Sequence, residues 1–308
     1  MWKCENPFEA EGKWFKGNTH LHTSQSDGGL TLEEAAQLYR RHNYDFFVVT
    51  DHGRITVSKP HMVEGLLVIP GAEYSCEGIH IVGIGISEEA GSLCEHGVQR
   101  LIDGVVDQGG LAVIAHPYWS SLTVERMLAL ERYIGIEVYN TNCEREIGKG
   151  LSSVHWDYML MVGKKCWGLA ADDSHFRFID YCGGWINVKA PRLDAEELLK
   201  SLEKGFFYSS SGPEIRNVEL LDWGLRIECS PSIAVRFVCD RSRGGCVHRV
   251  NGEYTAHRCE YRVEDGYVVE ASYRLRGKER YVRVEIVDEK GGRAWSNPFF
   301  IMEERGHP

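Results

Sequence analysis

The sequence predicts an α/β barrel followed by a small all-β sandwich, over residues 1–205 and 206–308. From Lys16 to about Gly205, short apolar runs alternate with helical segments, and many strand–helix units in succession favour a parallel sheet that closes into a barrel. Beyond Gly205 only short alternating runs separated by turn residues follow, which is typical of a sandwich. His, Asp and Glu residues also recur at the ends of the predicted barrel strands.

Eight runs in the first region are predicted strands, and several are rich in Val and Ile with little alternation, as in strands buried on both faces. They are Gly17–His22, Asp45–His52, Leu66–Tyr74, Ile79–Ile86, Leu111–His116, Ile134–Tyr139, Cys166–Ala171 and Trp185–Val188. Thr31 and Glu34 form a capping box that opens a helix running to about Arg41. Helical spacing also covers Gln99–Gln108, Thr123–Arg132, Leu151–Val162 and Asp194–Lys204.

The second region begins after a turn-rich segment, Ser209–Pro213, which is a reasonable hinge. Its predicted strands are Leu225–Glu228, Ile233–Cys239, Tyr261–Val263, Val268–Tyr273, Tyr281–Val287 and Trp295–Ile301. No catalytic set of residues accompanies them. This part of the chain is therefore predicted to pack on the barrel, shape its site or mediate association.

Composition limits the partners. The 308 residues are 43% hydrophobic and 26% charged, which is ordinary for a globular protein and excludes a disordered chain. The net charge of −10 repels polyanions, so neither a nucleic acid polymer nor an anionic membrane is an expected partner. A small-molecule substrate is expected, and a homo-oligomer is compatible with the sequence.

The ten cysteines are dispersed along the chain with no CxxC pair. No charged-then-apolar leader opens the sequence, and no stretch approaches the about 20 apolar residues that span a bilayer. The cysteines are therefore predicted to be reduced and mostly buried thiols, and the protein to be cytoplasmic.

The strongest functional signal is the position of the His, Asp and Glu residues. His20 and His22 are two residues apart at the end of the first strand, so both side chains point to the same side. The others that follow or border predicted strands are Asp27, Asp51, His52, Glu73, His80, His116, Asp173 and His175. Imidazole nitrogens and carboxylate oxygens suit Zn, Mn and Fe, and a carboxylate can bridge two ions. Since active sites of α/β barrels collect at the carboxyl ends of strands, the pattern predicts a polynuclear metal site.

Several short motifs resemble the ordered motifs of the PHP (polymerase and histidinol phosphatase) family of metal-dependent phosphoesterases over about residues 14 to 200. They are His20-Leu21-His22, Ser26-Asp27-Gly28, Thr50-Asp51-His52, Gly71-Ala72-Glu73, Ala115-His116-Pro117 and Asp173-Ser174-His175. Asp27 after the paired histidines resembles the branch with nucleotide and small-molecule phosphatases. The segment from Gly205 to Ile215 and the β-rich tail are similar in layout to a subgroup containing a carbamate hydrolase.

The resemblance implies a distorted (β/α)7 barrel with two or three divalent metal ions, Zn, Mn or Fe. By motif, a first ion would be held by His20, His22, Glu73 and Asp173. A second ion would be held by Glu73, His80 and His116, with Glu73 bridging the two. A third would be held by Asp27, His52 and His175.

Some residues beside the ligands are expected to act on substrate or to support the site. A water shared by two divalent ions becomes a hydroxide near neutral pH and can act as nucleophile, and Asp173 is the candidate to take or return the proton. Arg54 and Arg177 are candidate phosphate contacts, because Arg suits bidentate phosphate binding. Tyr118 and the neighbouring Trp119 could stack a base or wall the site.

Two further carboxylates are given supporting roles. Glu137, with Asn140, is expected to orient metal ligands from outside the ion shell. Asp51 points away from His52 along its strand and is expected to support the structure.

The sequence thus predicts a metal-dependent phosphoesterase that hydrolyses a small phosphomonoester or nucleotide. Hydrolysis of a carbamate, ester or amide by the same metal centre remains the alternative within enzymes. A non-catalytic, metal-stabilised binding module is the alternative outside them.

Overall fold

The computed structural model of the protein describes residues 2–301, which separate into two compact units. One unit comprises residues 11–207, and the other combines residues 2–10 with 208–301. The Trp2 indole donates to the Leu221 carbonyl at 3.0 Å, and the Asn6 amide to the Val218 carbonyl at 2.7 Å. These contacts place residues 2–10 with the C-terminal segment. The predicted bounds of 1–205 and 206–308 stay a prediction, and their residues 1 and 302–308 lie outside the described range.

The first unit contains nine strands, six α-helices and one 3₁₀ helix, Gly91–His96, within the described residues. The strands are β1 (Lys13–Asn18), β2 (Phe46–Val49), β3 (His61–Val63), β4 (Leu66–Cys76), β5 (Ile79–Ile84), β6 (Leu111–Ile114), β7 (Gly135–Asn140), β8 (Trp167–Ala171) and β9 (Trp185–Ala190). The helices are α1 (Leu32–Arg41), α2 (Val98–Asp107), α3 (Val124–Leu128), α4 (Thr141–Ile147), α5 (Ser153–Met161) and α6 (Ala195–Lys204). Helix α3 ends four residues before the predicted Arg132, and α4 and β3 were not predicted.

The strands of this unit follow the order β9-β1-β2-β4-β5-β6-β7-β8, with β3 beside β4. The pairs β1–β2, β2–β4, β6–β7 and β7–β8 are parallel, whereas β1–β9, β3–β4, β4–β5 and β5–β6 are antiparallel. The predicted (β/α)7 barrel is therefore not confirmed, because β9 and β8 are not neighbours in this order and the described strands form no closed barrel. A mixed α/β sheet is what the structure shows.

The antiparallel strand β5 has a direct consequence for the site. A tight hairpin joins β4 to β5, with Ser75 paired to His80 and Cys76 to Ile79. Since β5 runs against β4, its first residues lie at the edge where β4 ends. His80 at the start of β5 is thereby brought to the same edge as Glu73 near the end of β4.

The segments that follow β1 and β8 also meet. Leu21 and Ser174 form an isolated parallel bridge. The His22 amide donates to the Ser174 carbonyl at 2.9 Å, and the Asp173 amide to the His20 carbonyl at 2.8 Å. Although the named strands do not close, these bonds place the two His/Asp-rich segments side by side.

Helix α1 begins as the sequence predicts. The Thr31 hydroxyl accepts from the Glu34 amide while the Glu34 carboxylate accepts from the Thr31 amide, which completes the capping box. Ala35, Ala36 and Tyr39 form its buried face, within a core cluster that includes Leu21 and Phe47. This packing seats α1 directly behind the segment that carries the paired histidines.

The second unit is all-β within the described residues, as predicted. Its strands are β10 (Phe207–Ser210), β11 (Ile215–Leu221), β12 (Gly224–Ser232), β13 (Ala234–Cys239), β14 (Gly244–Val250), β15 (Glu253–His257), β16 (Cys259–Glu264), β17 (Tyr267–Arg274), β18 (Tyr281–Val287), β19 (Arg293–Ser296) and β20 (Phe299–Phe300). The strands β15-β14-β13-β18-β19-β10 follow one another in one sheet, with β20 beside β18, and the strands β11-β12-β17-β16 form the other. Phe237 of the first sheet and Tyr273 of the second stack with ring centroids 5.6 Å apart, so the two sheets pack as a sandwich.

The prediction that the cysteines are reduced is wrong for one pair. Cys76 at the end of β4 and Cys94 in the 3₁₀ helix form a disulfide with Cα atoms 5.7 Å apart. The sequence gives no sign of this pair, because its partners are 18 residues apart and belong to no CxxC motif. The other eight cysteines form no disulfide.

None of the helices in the described part of the chain combines the length and the apolar character needed to cross a bilayer.

Candidate metal centre

The segments at the ends of β1, β4 and β8 bring together a first group of possible metal ligands: His20, His22, Glu73 and Asp173. All four side chains are buried. The Nε2 atoms of His20 and His22 are 3.2 Å apart, and they lie 3.3 and 3.1 Å from Asp173 Oδ1. The Glu73 Oε2 atom is 3.4 Å from His20 Nε2 and 3.5 Å from His22 Nε2. Four donor atoms therefore converge on one point.

A second group shares Glu73 with the first and adds His80 and His116. Glu73 Oε1 lies 2.7 Å from His80 Nδ1 and 3.2 Å from His116 Nε2. Glu73 thus turns one oxygen toward each group, which is the arrangement of a carboxylate that bridges two ions. The structure places His80 with its predicted partners although no distinctive motif surrounds it.

A third group contains Asp27, His52 and His175, with His22 as a fourth member. His52 Nε2 is 3.5 Å from Asp27 Oδ1, and His175 Nε2 is 3.5 Å from Asp27 Oδ2. This group is the most open to solvent, since the side chains of Asp27 and His52 are 39% and 41% exposed. The sequence did not indicate that His22 belongs to two groups, although its spacing from His20 was a usable signal.

The spacing of the donor atoms in the first group matches the spacing of ligands around one metal ion. Ligands at the about 2.1 Å typical of Zn–N and Zn–O bonds lie about 3.4 Å apart at the corners of a tetrahedron, and the separations in this group are 3.1–3.5 Å. His22 Nδ1 is also buried without a hydrogen-bond partner within residues 2–301. The chemistry of the set, imidazole with carboxylate, is that of Zn, Mn and Fe sites.

The electrostatics of the cluster favour a bound cation. Burial opposes the charged form of His20, but Asp173, Glu137 and Glu73 outweigh it and raise the pKa of His20 well above its usual value. Burial likewise opposes ionisation of Glu73, yet the surrounding histidines hold the pKa of Glu73 well below its usual value. Without an ion, a proton on an imidazole thus supplies the positive charge that the buried carboxylates require.

Glu137 and Asn140 lie behind the ligands, as the sequence predicted. Glu137 is buried, and its Oε1 lies 2.7 Å from His20 Nδ1. Its Oε2 accepts from the His116 amide at 2.9 Å and from Asn140 Nδ2 at 2.8 Å. Because the proton on His20 Nδ1 is directed to Glu137, the Nε2 lone pair of His20 faces the cluster. Glu137 therefore fixes the tautomer of one ligand and the backbone of another.

We expect Glu137→Gln to lower metal affinity by about tenfold to a hundredfold, because the amide cannot hold the His20 ring as firmly as the carboxylate does. Titration of the metal-free protein with Zn²⁺, followed by calorimetry, measures the change. Glu144→Gln on α4 is a suitable control, since Glu144 accepts from the Gly150 amide and belongs to none of the ligand groups. Wild-type affinity in Glu137→Gln would contradict the positioning role.

Asp51 organises the loop that carries Asp27, in agreement with its predicted supporting role. It is fully buried. Asp51 Oδ1 accepts from the Thr23 amide at 2.7 Å and from the Ser26 hydroxyl at 2.6 Å, while Oδ2 accepts from the hydroxyls of Thr23 and Thr56. These bonds tie the segment just before Asp27, and Thr56 of the loop after β2, to the end of β2.

The predicted substrate contacts differ in their surroundings. Arg54 donates to the Gln25 carbonyl at 2.9 Å, beside the third group. Arg177 donates to Asp27 Oδ2 at 2.7 Å and to the Asp27 carbonyl at 3.1 Å, so in this structure it pairs with a candidate ligand while 60% of its side chain is exposed. Tyr118 is 42% exposed. Trp119 contacts the rings of His80 and His116 edge-on, with centroids 6.0 and 5.0 Å away.

Asp172 is a supporting residue that the sequence did not indicate. It is fully buried and accepts from the Tyr39 hydroxyl at 2.7 Å, the Thr141 hydroxyl at 2.9 Å and the amides of Cys182, Gly183 and Gly184. These bonds anchor the segment next to Asp173. Its position directly before the candidate ligand Asp173 was the signal in the sequence that could have indicated this role.

Comparison with known proteins places this fold. No protein-family model matches the sequence, and no curated protein matches it. Among solved structures, a two-domain protein from Bacteroides vulgatus ATCC 8482, containing a predicted PHP-like metal-dependent phosphoesterase, is 14% identical with a TM-score of 0.50. The match covers 98% of this chain and 99% of that one. The chain therefore has a PHP-type two-domain fold, which supports the resemblance drawn from the motifs.

Two more distant structures match part of the chain. The lesion-specific endonuclease EndoQ from Pyrococcus furiosus is 12% identical with a TM-score of 0.45, over 62% of this chain and 56% of its own. An amidohydrolase from Chromobacterium violaceum is 17% identical with a TM-score of 0.36, over 52% of this chain and 87% of its own.

Proposed function

We propose that this chain, with its PHP-type fold, is a metal-dependent phosphoesterase that hydrolyses a small phosphomonoester or nucleotide. The observation that carries the proposal is the sharing of Glu73 between two adjacent groups of donors, with the third group linked to it through His52. His52 Nδ1 lies 3.0 Å from Glu73 Oε2 while its Nε2 faces Asp27. Two or three divalent ions, Zn, Mn or Fe, would be held next to one another by such a set.

Bound ions would supply an activated water and neutralise the oxygens of a phosphoryl group as charge shifts in the transition state. Side chains of the protein would transfer the proton. Asp173 presents Oδ1 to the first group, and its Oδ2 accepts from Asn140 Nδ2 at 3.2 Å. An oxygen so placed can receive a proton or return it to the leaving group.

The charge of the site suits a small anion. Three divalent ions would bring six positive charges against the three carboxylates Asp27, Glu73 and Asp173, although the whole chain carries −10. Positive charge concentrated in one place attracts a phosphate dianion while the acidic remainder repels a polyanion. Arg54 and Arg177 would contact the phosphoryl oxygens from the exposed third group, and Tyr118 would contact the organic part of the substrate.

The proposal is tested by metal analysis of the purified protein followed by a phosphate-release assay over nucleotide and sugar phosphates with added Mn²⁺ or Zn²⁺. Carbamates, esters and amides form a second panel, because the same ions can activate water against them. Duplex DNA with an abasic lesion forms a third, because the negative charge predicts no activity there. Release of phosphate from a small ester supports the proposal. A protein that binds no transition metal and cleaves no phosphoester overturns it.

Arg54→Ala is expected to raise KM for a phosphomonoester about tenfold and to leave kcat within a few-fold, because one charge-assisted hydrogen bond to the phosphoryl group is lost. Steady-state kinetics on the best substrate of the panel measure both constants. Arg192→Ala is a matched control, since Arg192 is an exposed arginine paired with Glu197. An unchanged KM would show that Arg54 does not contact the phosphoryl group.

A further inference from the structure

A covalent cross-link lies next to the second group of ligands. Cys76 is the last residue of β4, three positions after Glu73, and its disulfide partner Cys94 lies in the 3₁₀ helix Gly91–His96. Cys76 is 1% exposed, whereas Cys94 is half-buried. The strand that supplies the shared carboxylate is therefore bonded at its end to a separate surface segment.

The cross-link is close to His80 through the hairpin. Cys76 pairs with Ile79, and the two turn residues between them, Glu77 and Gly78, have positive φ angles of 53° and 74°. His80 follows Ile79 directly and reaches Glu73 Oε1 at 2.7 Å. A shift of the hairpin end is thus transmitted over one residue to a ligand of the second group.

Few other bonds hold the end of this hairpin. The Arg126 guanidinium donates to the Glu77 carbonyl at 2.7 Å, and the Ala115 amide donates to the His80 carbonyl at 2.9 Å. On the other side of the cross-link, the Tyr74 hydroxyl accepts from the Ala90 amide at 3.0 Å. These bonds can keep the fold when the disulfide opens. Between the strand end and the 3₁₀ helix themselves, the contacts are long and involve sulfur: Cys76 Sγ lies 3.7 Å from the Cys94 carbonyl oxygen, and Cys94 Sγ lies 4.0 Å from the Ser75 carbonyl oxygen.

We propose that the Cys76–Cys94 disulfide positions His80 and makes the affinity of the second ion group depend on the redox state of the protein. The inference rests on the proposed metal centre. In the oxidised protein the hairpin end is held and His80 faces Glu73 and His116. In the reduced protein the hairpin end moves more freely, and the ion held by Glu73, His80 and His116 binds more weakly.

The chemistry is thiol–disulfide exchange with a dithiol reductant. A thiolate of the dithiol attacks Cys94 Sγ, the more accessible sulfur, and the S–S bond breaks with Cys76 leaving as a thiolate that takes a proton. The second thiol of the reductant then displaces Cys94 and closes the reductant's own disulfide. Two electrons and two protons pass to the protein, which gains two thiols, and the dithiol is oxidised.

The test compares both redox states of the full chain. Thiol titration in denaturant is expected to find eight thiols in the air-purified protein and ten after reduction. Dithiothreitol is removed by gel filtration under nitrogen, and each state is titrated with Zn²⁺ by calorimetry. We expect one ion to bind roughly tenfold more weakly after reduction, the size of effect seen when a group that orients a metal ligand is lost. Cys94→Ser should reproduce the reduced state without any reductant.

Two variants make the result specific. His80→Ala should bind ions equally in both redox states, because no imidazole remains to be positioned. Cys246→Ser, a half-buried cysteine of the second unit, should respond to reduction as the wild type does. Equal affinities in both states of the wild type, or ten thiols before reduction, overturn this inference and leave the phosphoesterase proposal standing. A protein that binds no Zn²⁺, Mn²⁺ or Fe²⁺ in either state and cleaves no phosphoester overturns both.

Discussion

Glu73→Ala is expected to remove at least one bound ion and weaken a second, with phosphate release lowered by about three orders of magnitude. The physical reason is that Glu73 offers Oε2 to the first ligand group and Oε1 to the second, so one substitution damages both. Metal-ion catalysis accounts for several kcal/mol of transition-state stabilisation, and each 1.4 kcal/mol is tenfold in rate. Elemental analysis of metal content and the phosphate-release assay measure the two effects.

Suitable controls separate this effect from a folding defect. Glu88→Ala removes an exposed carboxylate of the same unit and should retain wild-type ion content. Circular dichroism of metal-free Glu73→Ala should show the secondary structure of the metal-free wild type. Unchanged metal content in a folded Glu73→Ala protein would refute the shared-ligand assignment.

Asp173→Asn should lower kcat by about a hundredfold to ten-thousandfold, the range associated with loss of a general acid or base. The amide keeps the size of the side chain but cannot carry the proton, and it weakens the contact with His22. Steady-state kinetics together with elemental analysis separate the two effects, because a lower kcat at wild-type metal content indicates lost proton transfer and a loss of both indicates lost metal binding. Activity within tenfold of the wild type would show that Asp173 neither takes nor returns the proton.

The backbone at Asp173 decides which substitution is informative. Its φ angle is 55°, in the left-handed region, which Asn tolerates well and Ala tolerates poorly. Asp173→Ala should therefore lose stability in the metal-free protein as well as activity, and thermal unfolding of the two metal-free variants will separate strain from chemistry. Asn is the variant that isolates the carboxylate.

Much of the fold and of the site can be predicted from local sequence. The capping box of α1, the apolar runs of β2, β4 and β6, and the ligands that follow them are encoded within a few residues of one another. The order of His20, His22, Asp27, His52, Glu73, His116, Asp173 and His175 along the chain is itself the signal. The structure brings all of them together with His80.

One feature was encoded locally but missed by the expectation of a parallel sheet. The four residues between the predicted strands Leu66–Tyr74 and Ile79–Ile86 are too few for a parallel crossover, which makes β5 antiparallel to β4. The order of the strands, the contact of Arg177 with Asp27 and the pairing of Cys76 with Cys94 instead depend on pairings between distant segments. Local patterns carry no information on such contacts.

The hairpin of β4 and β5 lets some ligands of the metal centre come together earlier in folding than others. Glu73 and His80 are seven residues apart, whereas His22 and Asp173 are 151 apart. Short loops close at little entropic cost and long ones more slowly, so Glu73 and His80 can meet within a local hairpin before His116, 43 residues from Glu73, completes the second group and before the first group exists. An ion that binds only the completed first group would stabilise the native chain over every partly folded form. Metal supply would then act on the last, long-range step of folding, when the segments after β1 and β8 meet.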